Sequence, residues 1–265
     1  MGTFSIDGYT LLQNEMRITA HAADFLENFK NPKSHSYNNV SLANIVQEIA
    51  AKHNVDARIS SELLNINISA IHQTSESDLH FLTRLGQHYN ILIKPAGNCL
   101  VAMPVGKGTA ALGSNLPETT LTPDSVMSWS LQLSRKEQIP SVTAKGYDTD
   151  SASEFHETIG DEDFSDGDIG YSLRGLYPTR EAAKVAAKAV YEKLIRKTTT
   201  FNAEIPGNQH VLAESKLKLH GFRSGIPTEW IISRSTHSLT SSGYKTSLEA
   251  MLPADYQKEV ENMLS

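Results

Sequence analysis

Cysteine is almost absent from this sequence, and long apolar stretches are missing. The single cysteine, Cys99, excludes an intramolecular disulfide framework and is typical of a protein made in a reducing compartment. Because it opens the short apolar run 99–105, we expect a buried, unreactive thiol. That run is far shorter than the roughly 20 apolar residues of a transmembrane helix, and no stretch resembles a signal peptide. The sequence therefore predicts no membrane insertion.

The sequence also has no excess of basic over acidic residues. The chain has 30 acidic and 24 basic residues, which gives a net charge of −6. Proteins that bind duplex DNA without sequence preference usually carry a basic face that neutralises phosphates. The charge balance therefore argues against sequence-independent binding of nucleic acid, and we predict no specific nucleic-acid partner either. The contents of hydrophobic and charged residues, 39% and 20%, are those of a globular protein that can bury a core.

Motifs for nucleotide binding and nucleophilic catalysis fail on inspection. Residues 106–111 match GxGxxA after a predicted strand, but Gly113 and Pro117 follow where a helix would have to begin. Ser242 and Lys245 have SxxK spacing but lie in a predicted hairpin, and GxSxG is absent. We therefore predict no cofactor, no catalytic residue and no enzymatic activity.

Histidines suggest two metal sites, and both are weak. His80 and His88 share one face of a predicted helix, but Arg84 lies between them, and a cation there argues against zinc. His156 begins an HExxH pattern that Gly160 breaks. A solvated helix face is the preferred interpretation of the first group.

Six carboxylates lie between residues 157 and 168, and a cluster of this kind favours a hard cation such as calcium. The EF-hand order fails, because position six of a loop that starts at Asp161 is an aspartate where glycine is required. A solvated loop between strands is the preferred interpretation. A metal bound by Asp161, Asp163 and Asp166 is kept as the alternative.

Residues 37–105 are predicted to form a compact α/β unit. Ser41 is expected to cap the first of its two helices. The second helix has capping-box form, with Ser75 followed three positions on by Asp78. Apolar periodicity gives the other elements. The predicted elements up to this point are strands over 3–7 and 15–21, a polar loop over 31–39, helices over 41–53 and 76–88, and strands over 91–94 and 99–103. Residues 95–98 are expected to join the last two strands in a hairpin.

A linker rich in glycine and proline is expected at 106–123, and after it the hydrophobic period changes to two. The first strand beyond it covers 127–134, with 142–148 as its expected partner. One long helix among several antiparallel strands indicates a barrel-like α+β domain over 124–252. The remaining predicted elements are the helix over 179–197, strands over 198–204, 215–220, 229–239 and 244–251, and a C-terminal helix within 253–265.

Polar faces and strand edges in this domain suggest a contact surface. The hydroxyl-rich positions Ser128, Ser130, Ser233 and Ser235 suit a wet wall or a subunit contact, with an ordinary solvent face as the alternative. The strand over 244–251 is expected to present an edge that pairs between subunits.

Four segments, taken in order, resemble the phage late control D family, the baseplate hub proteins of contractile tails. Each segment is a weak signal by itself, whereas all four at this spacing are fairly specific. The resemblance extends over about residues 15–250. The four segments are 40–53, 73–90, 173–183 and 220–249.

The resemblance implies a structural protein without catalytic residues. Members of the family form a ring, generally a homotrimer, that joins the tail tube to the spike, and they are similar in build to the hub half of VgrG proteins. Residues 124–252 would then be a tube domain through which phage DNA passes, and a weakly acidic wall would not retain its phosphates. The expected location is the virion tail baseplate, after assembly in the cytoplasm of the bacterial host.

One departure from the family concerns the start of the chain. Family members usually carry a sizeable segment before the position that matches Thr3, and that segment supplies most of a first barrel. We therefore expect residues 1–36 to be a remnant of an incomplete first barrel, which puts trimerisation in question. The alternative functions are a peptidoglycan-binding module that uses Tyr37 and Tyr89, and a tail-associated hydrolase that uses the carboxylates of 157–168.

Overall fold

The computed structural model describes residues 4–22, 29–96, 98–108, 116–133, 141–148, 153–160, 170–177 and 179–253. The chain divides into two compact units. The first contains Met1–Gln87 and Ile91–Pro104, and the second contains His88–Asn90 and Val105–Ser265. Strands and helices are mixed in the chain, which confirms the predicted α+β class. The C-terminal helix expected within 253–265 lies outside the described residues from 254 onwards.

The first unit starts with a two-stranded antiparallel ribbon, β1 (Phe4–Leu11) and β2 (Met16–Ala22). Its register places Tyr9 opposite Ile18 and Leu11 opposite Met16. These pairs share one face because positions two apart on a strand point the same way. All four side chains are at least half exposed, so one face of the ribbon is apolar and open.

Next in the chain, β3 (Pro32–Ser41) pairs antiparallel with β5 (Asn67–Ser77). The predicted polar loop over 31–39 is therefore wrong. Its backbone groups are satisfied by a strand more than 30 residues away, and local composition carries no trace of that pairing. A register shift between Lys33 and His35 interrupts the pairing.

Two amphipathic helices pack in the first unit. In α1 (Leu42–Lys52) the Ser41 hydroxyl accepts a hydrogen bond from the Asn44 amide (3.1 Å), which confirms the predicted cap. In α2 (Asp78–Tyr89) the cap is Ser77, whose hydroxyl accepts from the amide of His80 (3.2 Å). The predicted cap Ser75 is wrong, because β5 runs on to Ser77.

A three-stranded sheet completes the first unit, with the strand order β4 (Asp56–Ile59), β7 (Cys99–Pro104) and β6 (Ile91–Ala96). The antiparallel pairing of β6 with β7 confirms the predicted hairpin, and β4 runs parallel to β7. Cys99 is only partly buried at the start of β7, so the prediction of a buried thiol is wrong.

Asp78, at the start of α2, is 2% exposed and anchors the polar interior of the first unit. Its Oδ2 accepts a hydrogen bond from Lys33 Nζ (2.7 Å) and lies 2.7 Å from His53 Nε2, while Oδ1 accepts from Gln73 Nε2 (2.9 Å). Burial alone raises the pKa of Asp78, but the hydrogen bonds from Lys33, Gln73 and His53 outweigh it and lower the pKa. The carboxylate therefore links β3, β5 and both helices.

The second unit contains a three-stranded sheet in the order β11 (Ser153–Gly160), β10 (Ser141–Asp148) and β12 (Tyr171–Tyr177). One long helix, α3 (Arg180–Thr198), packs on this sheet, and its bounds agree with the helix predicted over 179–197. The Thr179 hydroxyl caps it by accepting from the Ala182 amide (3.2 Å). Buried alanines of α3 allow a close approach to the sheet. The core residues between them are Val142, Ala144, Phe155, Ala183, Ala187 and Tyr191.

A six-stranded sheet forms the rest of the second unit. Its strand order is β8-β14-β15-β16-β13-β9. The strands are β8 (Thr119–Leu121), β9 (Ser128–Leu133), β13 (Thr199–Pro206), β14 (Lys216–Leu219), β15 (Glu229–Thr240) and β16 (Gly243–Met251).

Two predictions fail in this sheet. Residues 142–148 are not the partner of β9, which pairs with β13 some 70 residues further along the chain. The linker expected at 106–123 is wrong for Thr119–Leu121, which forms β8 and pairs parallel to β14. Neither pairing follows from local sequence, because hydrophobic periodicity identifies a strand but not its neighbour.

The carboxyl-terminal turn of α3 is held by a buried cation. Arg196 is 6% exposed, donates a hydrogen bond to the Asn90 side chain and lies 3.8 Å from a Glu192 oxygen. Glu214, also buried, accepts from the backbone amide of Gly106 (3.0 Å). Burial lowers the pKa of Arg196, and the charges of Glu192 and Glu214 oppose that shift.

Replacement of Asp78 by Asn should destabilise the first unit by roughly 2–4 kcal/mol at neutral pH, because it leaves Lys33 and His53 without a buried anion. The folded-state pKa of Asp78 is depressed, so its contribution is present above the unfolded-state pKa of about 3.9 and is lost as the pH falls. Far-UV circular dichroism during urea unfolding would measure the difference, which should shrink below pH ~4.

The exposed Asp56 supplies the matched control, since Asp56→Asn should leave the urea midpoint unchanged. Both tryptophans, Trp129 and Trp230, belong to the second unit, so their fluorescence transition should not move. If Asp78→Asn lowered the free energy of unfolding equally at pH 7 and pH 3, the negative charge of Asp78 would not be what stabilises the first unit.

Candidate functional site

One face of four neighbouring strands in the second unit is polar, and we call it the polar wall. Register fixes its membership, because residues directly opposite each other share a face. Asn202 of β13 lies between Ser130 of β9 and Glu249 of β16, and Glu249 lies opposite Arg234 of β15. The polar wall comprises Ser128, Ser130, Gln132, Thr200, Asn202, Glu204, Lys245, Ser247, Glu249, Arg234, Thr236 and Ser238.

The opposite face of the same strands is the apolar core of the unit. The ring of Phe201 is fully buried, and its centroid lies 5.7 Å from that of Trp230 and 6.1 Å from that of Trp129. Trp230 satisfies its indole N–H by donating to the carbonyl of Pro227 (2.7 Å). Alternation along each strand therefore places one side in the core and the other in solvent.

The polar wall is balanced in charge. It holds two carboxylates and two cations, and Lys245 Nζ donates to Glu204 Oε1 at 2.7 Å. The acidic excess of the whole chain is thus not concentrated on this face. A shallow depression in the wall is lined by Ser128, Asn202, Glu204, Arg234, Thr236, Ser247 and Glu249.

Of the four serines predicted to face water together, two lie on the polar wall and two do not, because of a β-bulge in β15. Ser128 and Ser130 lie on the polar wall, as the alternation of β9 predicts. On β15 the register shifts between Ile232 and Arg234, and Ser233 donates to the carbonyl of Glu249 (3.0 Å). Beyond the bulge Ser235 lies opposite Leu248 on the core side, so Ser233 and Ser235 are not wall residues.

The predicted free edge at 244–251 is also wrong. This segment is β16, which pairs with β15 on one side and β13 on the other. The sequence pattern of β16, polar and apolar in turn, marks it as half buried. It contains no signal that separates a central strand from an edge strand.

The histidines considered as metal ligands have other partners. His80 Nδ1 lies 2.9 Å from a Glu76 oxygen, and Arg84 is hydrogen-bonded to the same carboxylate and to the carbonyl of His72 (2.7 Å). These contacts lower the pKa of Glu76, the Arg84 hydrogen bond being the largest cause. His88 stacks on Tyr177 with ring centroids 5.8 Å apart. Among the described residues, no group of three or more His, Cys, Asp or Glu side chains is placed to hold a metal.

The acidic candidates lie largely outside the described residues. Asp161, Asp163 and Asp166 all fall in 161–169, so the alternative calcium site is not tested. Glu157, at the start of the same cluster, belongs to β11 rather than to a loop. Its carboxylate accepts a hydrogen bond from Arg180 (3.0 Å).

Tyr37, one of the two aromatic residues considered for sugar binding, is 4% exposed. Its ring stacks on that of Phe81, with centroids 5.6 Å apart. Burial raises the pKa of Tyr37 to about 12, with smaller contributions from Glu48 and Asp78. A buried ring cannot serve as a platform for a carbohydrate. Tyr89 is partly buried, and burial raises its pKa as well.

The geometry assembled so far is an extended polar face backed by an apolar core, and no catalytic group is recognisable among the described residues. A family model for the phage tail baseplate hub (GPD) matches residues 17–243. The chain therefore belongs to the phage tail baseplate hub family, and its role is structural, as a hub component of the tail baseplate.

Two curated relatives agree with this assignment. A probable baseplate hub protein of Escherichia phage P2 is 25% identical over an alignment 283 residues long, gaps included. The alignment covers 92% of this chain and 73% of the relative. A probable baseplate hub protein of Escherichia phage 186 is 23% identical over 272 residues, which cover 88% of this chain and 70% of the relative.

Solved structures share the fold. The tail protein from Neisseria meningitidis MC58 matches with a TM-score of 0.70 at 12% identity, covering 98% of this chain and 82% of that protein. An Escherichia coli component of the type VI secretion system matches with a TM-score of 0.54 at 14% identity, covering 94% and 59%. Within the described part of the chain, no helix is both long and apolar enough to cross a membrane.

Two neighbouring residues of β13 test the division between wall and core. Phe201→Ala should cost about 3–5 kcal/mol because it leaves a cavity among Trp129, Trp230 and the strands. Asn202→Ala, one position on and facing the wall, should cost less than about 1 kcal/mol. Tryptophan fluorescence during urea unfolding measures both, and similar losses for the two variants would contradict the assignment of faces.

Proposed function

We propose that three copies of this chain form a homotrimeric ring that joins the tail tube to the spike, and that the polar wall lines the channel of the ring. The observation that carries the proposal is the polar wall itself. Four antiparallel strands expose hydroxyl, amide and paired charged groups on one face and bury aromatic residues on the other. Such a sheet suits the wall of a wet channel.

Charge supports the same use. A wall that holds as many cations as carboxylates has no net charge with which to retain the phosphates of passing DNA. The scattered hydroxyls of Ser128, Ser130 and Ser247 are neutral and well hydrated. The wall would therefore let a polyanion slide without binding it in one register.

Other parts of the chain fit this proposal. We assign residues 124–252 to a tube domain and residues 1–36 to a first barrel, of which β1 and β2 are the described strands. The proposed partners are the tail tube and spike proteins, and the proposed site of assembly is the cytoplasm of the bacterial host. We propose no second function. Tyr37 is buried, which argues against the sugar-binding alternative, and the hydrolase alternative is not tested because its carboxylates fall largely outside the described residues.

Native mass measured by size-exclusion chromatography with light scattering tests the ring. The purified chain should give three times its chain mass of 29.1 kDa, without dependence on concentration across the micromolar range. A monomer over that whole range would contradict the homotrimer. Co-elution with the tube protein and the spike protein of the same tail tests the junction separately, and retention of neither would contradict it.

A further inference from the structure

The polar wall ends at two apolar residues that are covered. Met251 follows Glu249 by two positions on β16 and so faces the same side, and Ile231 of β15 lies opposite Met251. The two side chains are 8% and 2% exposed, yet they lie on the side of the sheet away from the aromatic core. A second layer therefore covers the wall side at this end of the sheet.

Residues 105–108 lie in that layer, and we call them the strap. A β-carbon built on Gly108 would lie 3.1 Å from the Cδ1 atom of Ile231, and one built on Gly106 would lie 3.9 Å from the Cε atom of Met251. Both glycines have positive φ angles, +82° at Gly106 and +67° at Gly108, which residues with a side chain rarely adopt. The backbone of the strap thus lies directly against both apolar residues.

Two polar contacts hold the strap in place. The Gly106 amide donates to the Glu214 carboxylate (3.0 Å), and the Val105 amide donates to the carbonyl of Asn90 (3.4 Å). The side chain of Asn90 accepts a hydrogen bond from Arg196 of α3. Glu214 and Arg196 are 7% and 6% exposed. A buried carboxylate and a buried guanidinium therefore keep the strap closed, the first directly and the second through Asn90.

Strain is concentrated at the same contacts. Asn90 and Glu214 have φ angles of +54° and +67°, in the left-handed region that is unfavourable for residues with a side chain. The Nη1 atom of Arg196 is buried without a hydrogen-bond partner among the described residues, and its ion pair with Glu192 is 3.8 Å long. Proteins retain such strain where a segment switches or clamps. Closure of the strap therefore carries a cost that its opening removes.

We propose that the strap opens as a local unit while the strands beneath it stay folded, and that Glu214 and Arg196 set how often it opens. Opening exposes Ile231 and Met251, which adds an apolar patch to the end of the polar wall. Local opening at a lower free energy than global unfolding is expected for a segment held by few contacts. The strap is a conformational device of the second unit and does not depend on the proposed ring.

Thiol labelling at two neighbouring positions of β15 tests the opening in a chain whose native cysteine is removed by Cys99→Ser. Ile231→Cys places a thiol under the strap, and Ile232→Cys places one in the core on the other face. In the folded chain the thiol at 231 should react with dithionitrobenzoate roughly tenfold faster than the thiol at 232. Its rate should also change little at low urea concentrations, because local opening exposes little surface.

Opening by global unfolding alone would give a different result. The thiols at 231 and 232 would then react at the same rate, with the steep urea dependence of the tryptophan fluorescence transition. That outcome would overturn the proposal, because the strap would leave the sheet only when the whole second unit unfolds.

Hydrogen exchange at the Gly106 amide tests the part played by Glu214. In the unmodified chain this amide should show the same weak urea dependence as the thiol at 231. Glu214→Gln keeps the size of the side chain but replaces the carboxylate by a neutral amide, so exchange at Gly106 should become roughly tenfold faster. The exposed Glu229 supplies the control, since Glu229→Gln should leave that exchange unchanged.

Two outcomes of the exchange experiment would count against the strap. A Gly106 amide that exchanges only by global unfolding, beside a fast thiol at 231, would show that another segment uncovers Ile231, and the strap would be rejected. Unchanged exchange in Glu214→Gln would show that the carboxylate does not hold the strap closed.

Discussion

One-sided burial of the four long strands of the second unit is the constraint on which the rest of the molecule depends. Phe201, Trp230 and Leu248 must leave water, and the two-residue period of a strand then forces their neighbours outward. The polar wall is a consequence of this packing, since its hydroxyls and charges occupy the positions that the core leaves over. The channel lining proposed above uses this face, with the aromatic core behind it.

The first unit is organised around a polar contact instead. Asp78 is almost fully buried, where an unpaired carboxylate would be unfavourable, and Lys33, Gln73 and His53 converge on it. The residues come from four elements, so this contact specifies how β3, β5 and the two helices meet. Apolar packing under α1 and α2 supplies most of the burial, while the carboxylate fixes the arrangement.

Sequence patterns predicted an element correctly where the residues that determine it lie next to each other in the chain. The caps Ser41 and Thr179, the hairpin between β6 and β7 and the alternation of β9 all appear in the structure. Errors arose where a distant partner decided the outcome. Most of residues 31–39 belong to β3 because they pair with β5. Ser75 does not cap α2, because that pairing continues to Ser77, which caps the helix instead.

The sequence by itself determined the α+β class, the family and the two faces of β9, because hydrophobic periodicity and the residues of each motif are carried by short stretches of the chain. Only the tertiary structure decided which strands are neighbours, and hence that β16 is central while β8 and β9 are the outer strands of the sheet. The bulge at Ser233 likewise settled which serines belong to the polar wall. Strand neighbours are chosen by the packing of whole faces against one core, and a linear pattern does not record that choice.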